Sequence, residues 1–257
     1  MSTSVYQQPL YYLIAFSFVN PKTQVDQFER IIEEFSKTKV KRFLDIACGP
    51  SLQLREIAKR GYEAVGLDSS SEMLEYLEEK AKEEALIIET VIADLREFRL
   101  KKKADFAFIM MGSLNVDSNE SLLKHLDSVA DSLSKGGLYF IQNQRLDWTK
   151  TKRQSWTIRR DGIKVKATFE SKFISIVNQQ YRERIILEVH DQGVEKTLTQ
   201  QQDFKFIFPQ EFKSLIEMNG RFEFLGWWKG NCDRWYLNKP LEKTRKLDDN
   251  MVLLRRK

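Results

Sequence analysis

Cysteine, histidine and long apolar runs are all scarce in this 257-residue chain. Cys48 and Cys232 are too few for a disulfide framework or a zinc site, and a reducing cytoplasm is the compartment expected. Only His125 and His190 carry imidazoles, and no metal site is expected. His125 lies beside an apolar helix face and is read as packing; His190 would act as a base only if its strand faced a pocket. No apolar run approaches the ~18 residues of a membrane span. Tyr11 to Val19 has no basic region before it and no small-residue cleavage site after it, so it is not read as a signal peptide. Excess charge is also small, at +5 with a pI near 9.0. The basic clusters Lys101 to Lys103, Lys150 to Arg153, Arg159-Arg160 and Arg255 to Lys257 are read first as solvated surface. A nucleic-acid footprint would gather them on one face beside stacking aromatics.

What is present centres on Lys41 to Asp68. Phe43 to Ile46 is a short apolar run ending in Ala47-Cys48-Gly49-Pro50-Ser51. Leu54, Ile57 and Ala58 then follow helical spacing, Lys59-Arg60 close the last turn, and Gly61 stops it. Ala64 to Leu67 is a second strand, ended by Asp68. This is a βαβ unit of the kind that binds nucleotide-like ligands at a helix N-terminus and holds a ribose with the distal acid. A dinucleotide site wants three glycines, but only Gly49 stands in this turn and Pro50 has no N–H to offer. Asp45 would repel a pyrophosphate and suits an ammonium or sulfonium group.

With Asp45, the Ala47-to-Ser51 turn and Asp68, the chain resembles class I methyltransferases that use S-adenosylmethionine. Ala47 and Ser51 replace the first and third glycines of that family's motif. The resemblance implies that Asp45 and the Ala47 to Gly49 backbone hold the amino-acid end of the cofactor, and Asp68 the ribose. Ser69 and Met73 would touch the adenosine, and Asp94 with Leu95 the adenine. Met111 and Gly112, ending the fourth strand, would lie near the methionine moiety. Three acids at successive strand ends, Asp45, Asp68 and Asp94, are a stronger signal than any one.

The expected fold is α/β: a seven-stranded doubly wound sheet, order 3-2-1-4-5-7-6, with the last strand antiparallel, as the resemblance implies. Residues 1–40 form a cap segment and first helix, 41–150 the cofactor-binding core, 151–208 an antiparallel insert and 209–257 the end of the core. In the insert, helical periodicity gives way to β-favouring runs, with hairpin chemistry at Asp161-Gly162 and Asp191-Gln192-Gly193. In the family such an insert serves as a lid over the acceptor. Ser69 is expected to cap the helix of Met73 and Leu77, with Glu72 its capping-box partner. Lys229 to Asn250 is expected to be a loop, with Trp235 packing near the lid.

The expected activity is methylation of a small molecule by in-line displacement, which needs alignment and, for a protonated acceptor, proton removal. Catalytic candidates are Tyr12, Ser113, Asn115 and Gln144, with Tyr11 an alternative wall of the pocket. The fourth strand ends in MMGS rather than the [DN]PP[YF] of base or glutamine amino-group methylation. An RNA or protein methyltransferase is one alternative, and a non-catalytic S-adenosylmethionine-binding protein is another.

Overall fold

A computed structural model describes residues 4–142, 152–231, 233–245 and 249–257. The chain opens with a 3-10 turn, Val5–Gln7, then α1 (Pro9–Ala15) and α2 (Pro21–Phe35). The core alternates as β1 (Arg42–Ile46), α3 (Leu52–Lys59), β2 (Glu63–Asp68), α4 (Ser71–Glu83), β3 (Ile88–Ile92), β4 (Ala104–Ile109), α5 (Asn119–Ser132) and β5 (Leu133–Gln142). Four insert strands follow: β6 (Lys152–Arg160), β7 (Ile163–Ser175), β8 (Gln180–Asp191) and β9 (Val194–Lys205). The core resumes with α6 (Pro209–Asn219), β10 (Phe222–Gly230), β11 (Trp235–Pro240) and β12 (Asn250–Arg256).

The main sheet has eight strands in the order β11-β10-β12-β5-β4-β1-β2-β3. β1 to β5 pair in parallel, whereas β12 runs antiparallel to both of its neighbours. The count therefore exceeds the expected seven by β11, which adds to the far edge of β10. Lys229 to Asn250 is accordingly not a loop throughout. Trp235 anchors the added strand under α2, against Phe28 and Phe140, rather than near the insert.

β1 is buried on both faces, as expected of a central parallel strand. Its alternate residues feed two cores. Phe43 faces the α2 and α3 side with Phe28, Leu54 and Ile57, while Leu44 and Ile46 face α5 and α6 with Leu126 and Phe212. Side chains fix the helix starts. Asn20 accepts from Thr23 N at α2, with Pro21 at the first position, and Ser118 caps α5. The cap of α4 is Ser70, not Ser69: its hydroxyl oxygen accepts from Met73 N. α5 ends at Ser132, and β5 begins directly at Leu133.

The insert is a separate antiparallel sheet, β6-β7-β8-β9. Its outer hairpins turn on Asp161-Gly162 and Gln192-Gly193, both residues of each pair having positive φ, as two-residue turns of this hand require. Val165, Ala167, Leu187, Val189 and Leu198 pack against Val5, Tyr11 and Ile14. The N-terminal segment is thereby wedged between insert and core.

Candidate functional site

The strand ends converge where an open α/β sheet binds ligands, at the carboxyl edge beside β1. The loop after β1 is turned by Ala47 and Gly49, at φ 54 and 53. Left-handed alanine costs energy that the surroundings must supply. Cys48 N donates to Leu67 O across the sheet, at 3.0 Å, and Gly49 N donates to Asp68 Oδ2 at 2.7 Å. Asp68 Oδ1 accepts from Ser70 N at 2.9 Å. One carboxylate thus ties the β1 loop to the start of α4.

Ser51 does more than replace a glycine. Its hydroxyl accepts from Leu54 N, capping α3, and donates to Asp45 Oδ2 at 2.6 Å. Burial, with the Asp68 charge adding to it, pushes the Asp45 carboxyl well above the usual carboxylate range. A cation beside Asp45 would restore its charge. At the end of β4, Met111 and Gly112 are left-handed as well, held by Gln142: its Oε1 accepts from Met111 N and its backbone carbonyl from Gly112 N.

Two adjoining cavities occupy this edge. The larger, about 350 Å³, is walled by Ala47, Gly49, Asp68, Ser69, Met73, Asp94 and Leu95 from the core, all candidates in the sequence. The smaller, about 70 Å³, is lined by Asp45, Cys48, Ser51, Met110 and Met111, with Leu13, Phe16 and Val19 from the N-terminal segment. Tyr12, Ala47 and Ser113 border both. Asn115 lines the larger cavity, and Gly112 lines neither. Gln144 lies outside the described residues. Tyr11 points away, its hydroxyl donating to Asp191 Oδ2 of the insert.

The sequence did not single out Tyr6, Arg96, Asp117 or the β9 residues Gln202, Asp203 and Phe204, all of which wall the larger cavity. Tyr6 was visible only as one aromatic among several, and β9 reaches the site through tertiary folding. Burial, helped by Glu183 and Asp68, pushes the Tyr6 phenol up to about 12. Burial first, then Tyr6, Asp68 and Asp45, raises that of Tyr12 as well. Both hydroxyls stay protonated near neutrality and can donate.

His125 is structural. Its Nδ1 and Nε2 lie 2.7 Å from Leu95 O and from the Tyr139 hydroxyl, so a neutral ring donates to the first and accepts from the second. Burial lowers its pKa to about 4. The unfolded chain binds a proton near pH 6.5, so stability is full above that pH and falls as pH drops toward 4. By pH 5 the loss is about 2 kcal/mol. Urea denaturation of native protein and His125→Phe at pH 7 and 5 should show this loss in the native protein and not in the variant. Cys48 is inert in the same sense, burial driving its thiol well upward. His190 is half-exposed beside Glu195 and faces no cavity described here.

The donor set fits a nucleoside carrying a cationic amino-acid tail. Asp45 and Asp68 supply negative charge, and a Cβ at Gly49 would stand in open space rather than against protein. Residues 43–137 match the family model of the methyltransferase domain. Among curated proteins no sequence match is found. An S-adenosylmethionine-dependent methyltransferase from Clostridium acetobutylicum superposes with a TM-score of 0.77 at 17% identity, covering 96% of each chain. The sugar N-methyltransferase KedS8 from Streptoalloteichus gives 0.72 at 17% identity, over 93% of this chain and 88% of its own. CalS10, an amino pentose methyltransferase from Micromonospora echinaspora solved with S-adenosylmethionine bound, gives 0.68 at 16% identity over 91% and 90%. Residues 43–137 thus match a methyltransferase-domain model, and the chain shares the fold of these solved methyltransferases.

Proposed function

We propose that this chain transfers a methyl group from S-adenosylmethionine to a small-molecule acceptor by direct in-line displacement. The carrying observation is the pair of cavities meeting at Tyr12, Ala47 and Ser113. The larger has the acids for a nucleoside; the smaller has Asp45 for an ammonium group and apolar walls at Leu13, Phe16 and Val19.

The donor supplies an activated methyl on a sulfonium, which requires no enzyme nucleophile. The chain's residues would do the holding. Asp45, fixed by Ser51, would take the amino group of the donor, and Asp68 the ribose hydroxyls through lone pairs not used by Gly49 and Ser70. Tyr6, Tyr12 and the β9 residues Gln202 to Phe204 line the larger cavity and would cover a bound donor. Tyr12 and Ser113, at the neck, are placed to orient an acceptor atom for collinear approach.

A small acceptor is favoured over RNA by the charge layout. Lys101 to Lys103 precede β4, at the end of the sheet opposite the cavities, while Arg159-Arg160 lie at an insert hairpin. Among the described residues these two clusters lie on different elements. The structural neighbours named as sugar and amino pentose methyltransferases support starting with amine-bearing sugars.

Calorimetric titration of the native protein with S-adenosylmethionine and S-adenosylhomocysteine is the test. Saturable binding followed by methyl transfer to small amines, hydroxyls or thiols, with none to RNA, is the expected result. Folded protein that binds neither ligand would refute the reading.

A further inference from the structure

We infer that Asn115, rather than Asp94, recognises the adenine base of the cofactor; this rests on the S-adenosylmethionine reading. Asp94 stands where the family resemblance puts the acceptor for the exocyclic amine, but most of its carboxylate is taken by Arg96. Oδ1 accepts from Arg96 N at 2.8 Å and Arg96 Nε at 2.9 Å; Oδ2 accepts from Nε at 3.1 Å and Nη2 at 2.5 Å. Three Arg96 N–H groups, that of Nε shared between both oxygens, thus take most of the carboxylate's about four acceptor sites. Arg96 is held in turn by Asp117, 3.2 Å from its Nη1, which fixes the fork across the cavity rim.

Asn115 lines the same cavity with opposite bookkeeping. Its Oδ1 is shielded from solvent and has no hydrogen-bond partner. Leaving such a group unpaired costs about 1–3 kcal/mol, which a ligand can recover. The backbone of this loop is held on both sides of Asn115. Leu114 and Val116 on either side are buried in the core shared with α5, and Asn115 lines the cavity beside Val116. Asn115 N donates to Ser113 O, and Lys205 N at the end of β9 donates to Val116 O, both at 2.7 Å, pinning the loop. The terminal amide torsion is broad and two-fold, so either end of the group can turn into the cavity.

An amide also suits the base better than a carboxylate does. Adenine presents a donor, its 6-amino group, beside a ring-nitrogen acceptor, and an Asn side chain satisfies both at once. A carboxylate would accept from the amine and repel the ring nitrogen. The β4–α5 loop thus reads the base, while Asp94 and Arg96 form the rim that holds the loops in place.

The test compares S-adenosylhomocysteine with its analogue bearing hydrogen in place of the 6-amino group, by calorimetry on native protein, Asn115→Ala, Asn115→Leu and Asp94→Asn. Native protein should favour the amino form by about ten- to a hundredfold. That preference should shrink to less than about threefold in both Asn115 variants and persist in Asp94→Asn. Asn115→Leu keeps the side chain's shape, and thermal melts show which variants are folded. A preference retained without Asn115, or absent from native protein, overturns the inference; retention there with loss in Asp94→Asn would return the role to Asp94. Native protein that binds neither compound refutes instead the reading on which the inference rests.

Discussion

Asp68→Ala should weaken S-adenosylhomocysteine binding by about a hundredfold or more while leaving the protein folded. Hydrogen bonds to a charged group contribute about 1.5–3 kcal/mol each, and a ribose diol offers two to this carboxylate. The structure adds a second loss. Asp68 accepts from both Gly49 N and Ser70 N, so alanine removes the clasp between the turn after β1 and the start of α4. Ala47 and Gly49 hold left-handed backbone there and would relax without it. Asp68→Asn keeps the shape and one acceptor oxygen, but its amide must present N–H groups toward one of the two backbone donors, so its affinity should fall between native and alanine. Calorimetry with melting curves on all three proteins separates binding from stability. A folded Asp68→Ala with affinity within about threefold of native would remove the ribose assignment.

The parts of this site that were legible in the sequence lie on single strands. Asp45 and Asp68 stood out because one sits inside the end of a short apolar run and the other ends one, and strand polarity alone brings such ends to one edge of a parallel sheet. Asp94 was legible as a strand-end acid, but its occupation by Arg96, two residues on, depends on a loop conformation that periodicity does not specify. Ser51 was read only as a small residue tolerated in a glycine's place. Its roles as cap of α3 and donor to Asp45 need the helix start to be known to the residue. Gln202 to Phe204 and Tyr6 were illegible for a different reason. They reach the cavity because the insert folds back over the core with the N-terminal segment between them, and contacts spanning nearly 200 residues leave no local pattern.

Trp235 shows the same limit in the core, and the largest stability effect should follow from the contact it makes. Polar and charged neighbours made its stretch look like a loop, yet the indole stacks on Phe28 with ring centroids 5.3 Å apart and planes 13° from parallel. Phe28, on α2, also meets Phe106 at 5.3 Å, Phe108 at 4.8 Å and Phe140 at 5.3 Å, and it is wholly buried. One ring therefore joins α2 to β4, β5 and the edge strand β11. Phe28→Ala removes this hub and leaves a cavity among rigid aromatic neighbours that cannot collapse into it, which costs about 3–5 kcal/mol. For a chain of this size that lowers the melting temperature by about 10 °C. Phe28 lines neither cavity, so S-adenosylhomocysteine affinity below the transition should stay within about threefold of native. Phe28→Leu, which refills part of the space, should recover about half of the loss. A melting temperature within about 2 °C of native for Phe28→Ala would show that α2 and β11 are not held through this ring.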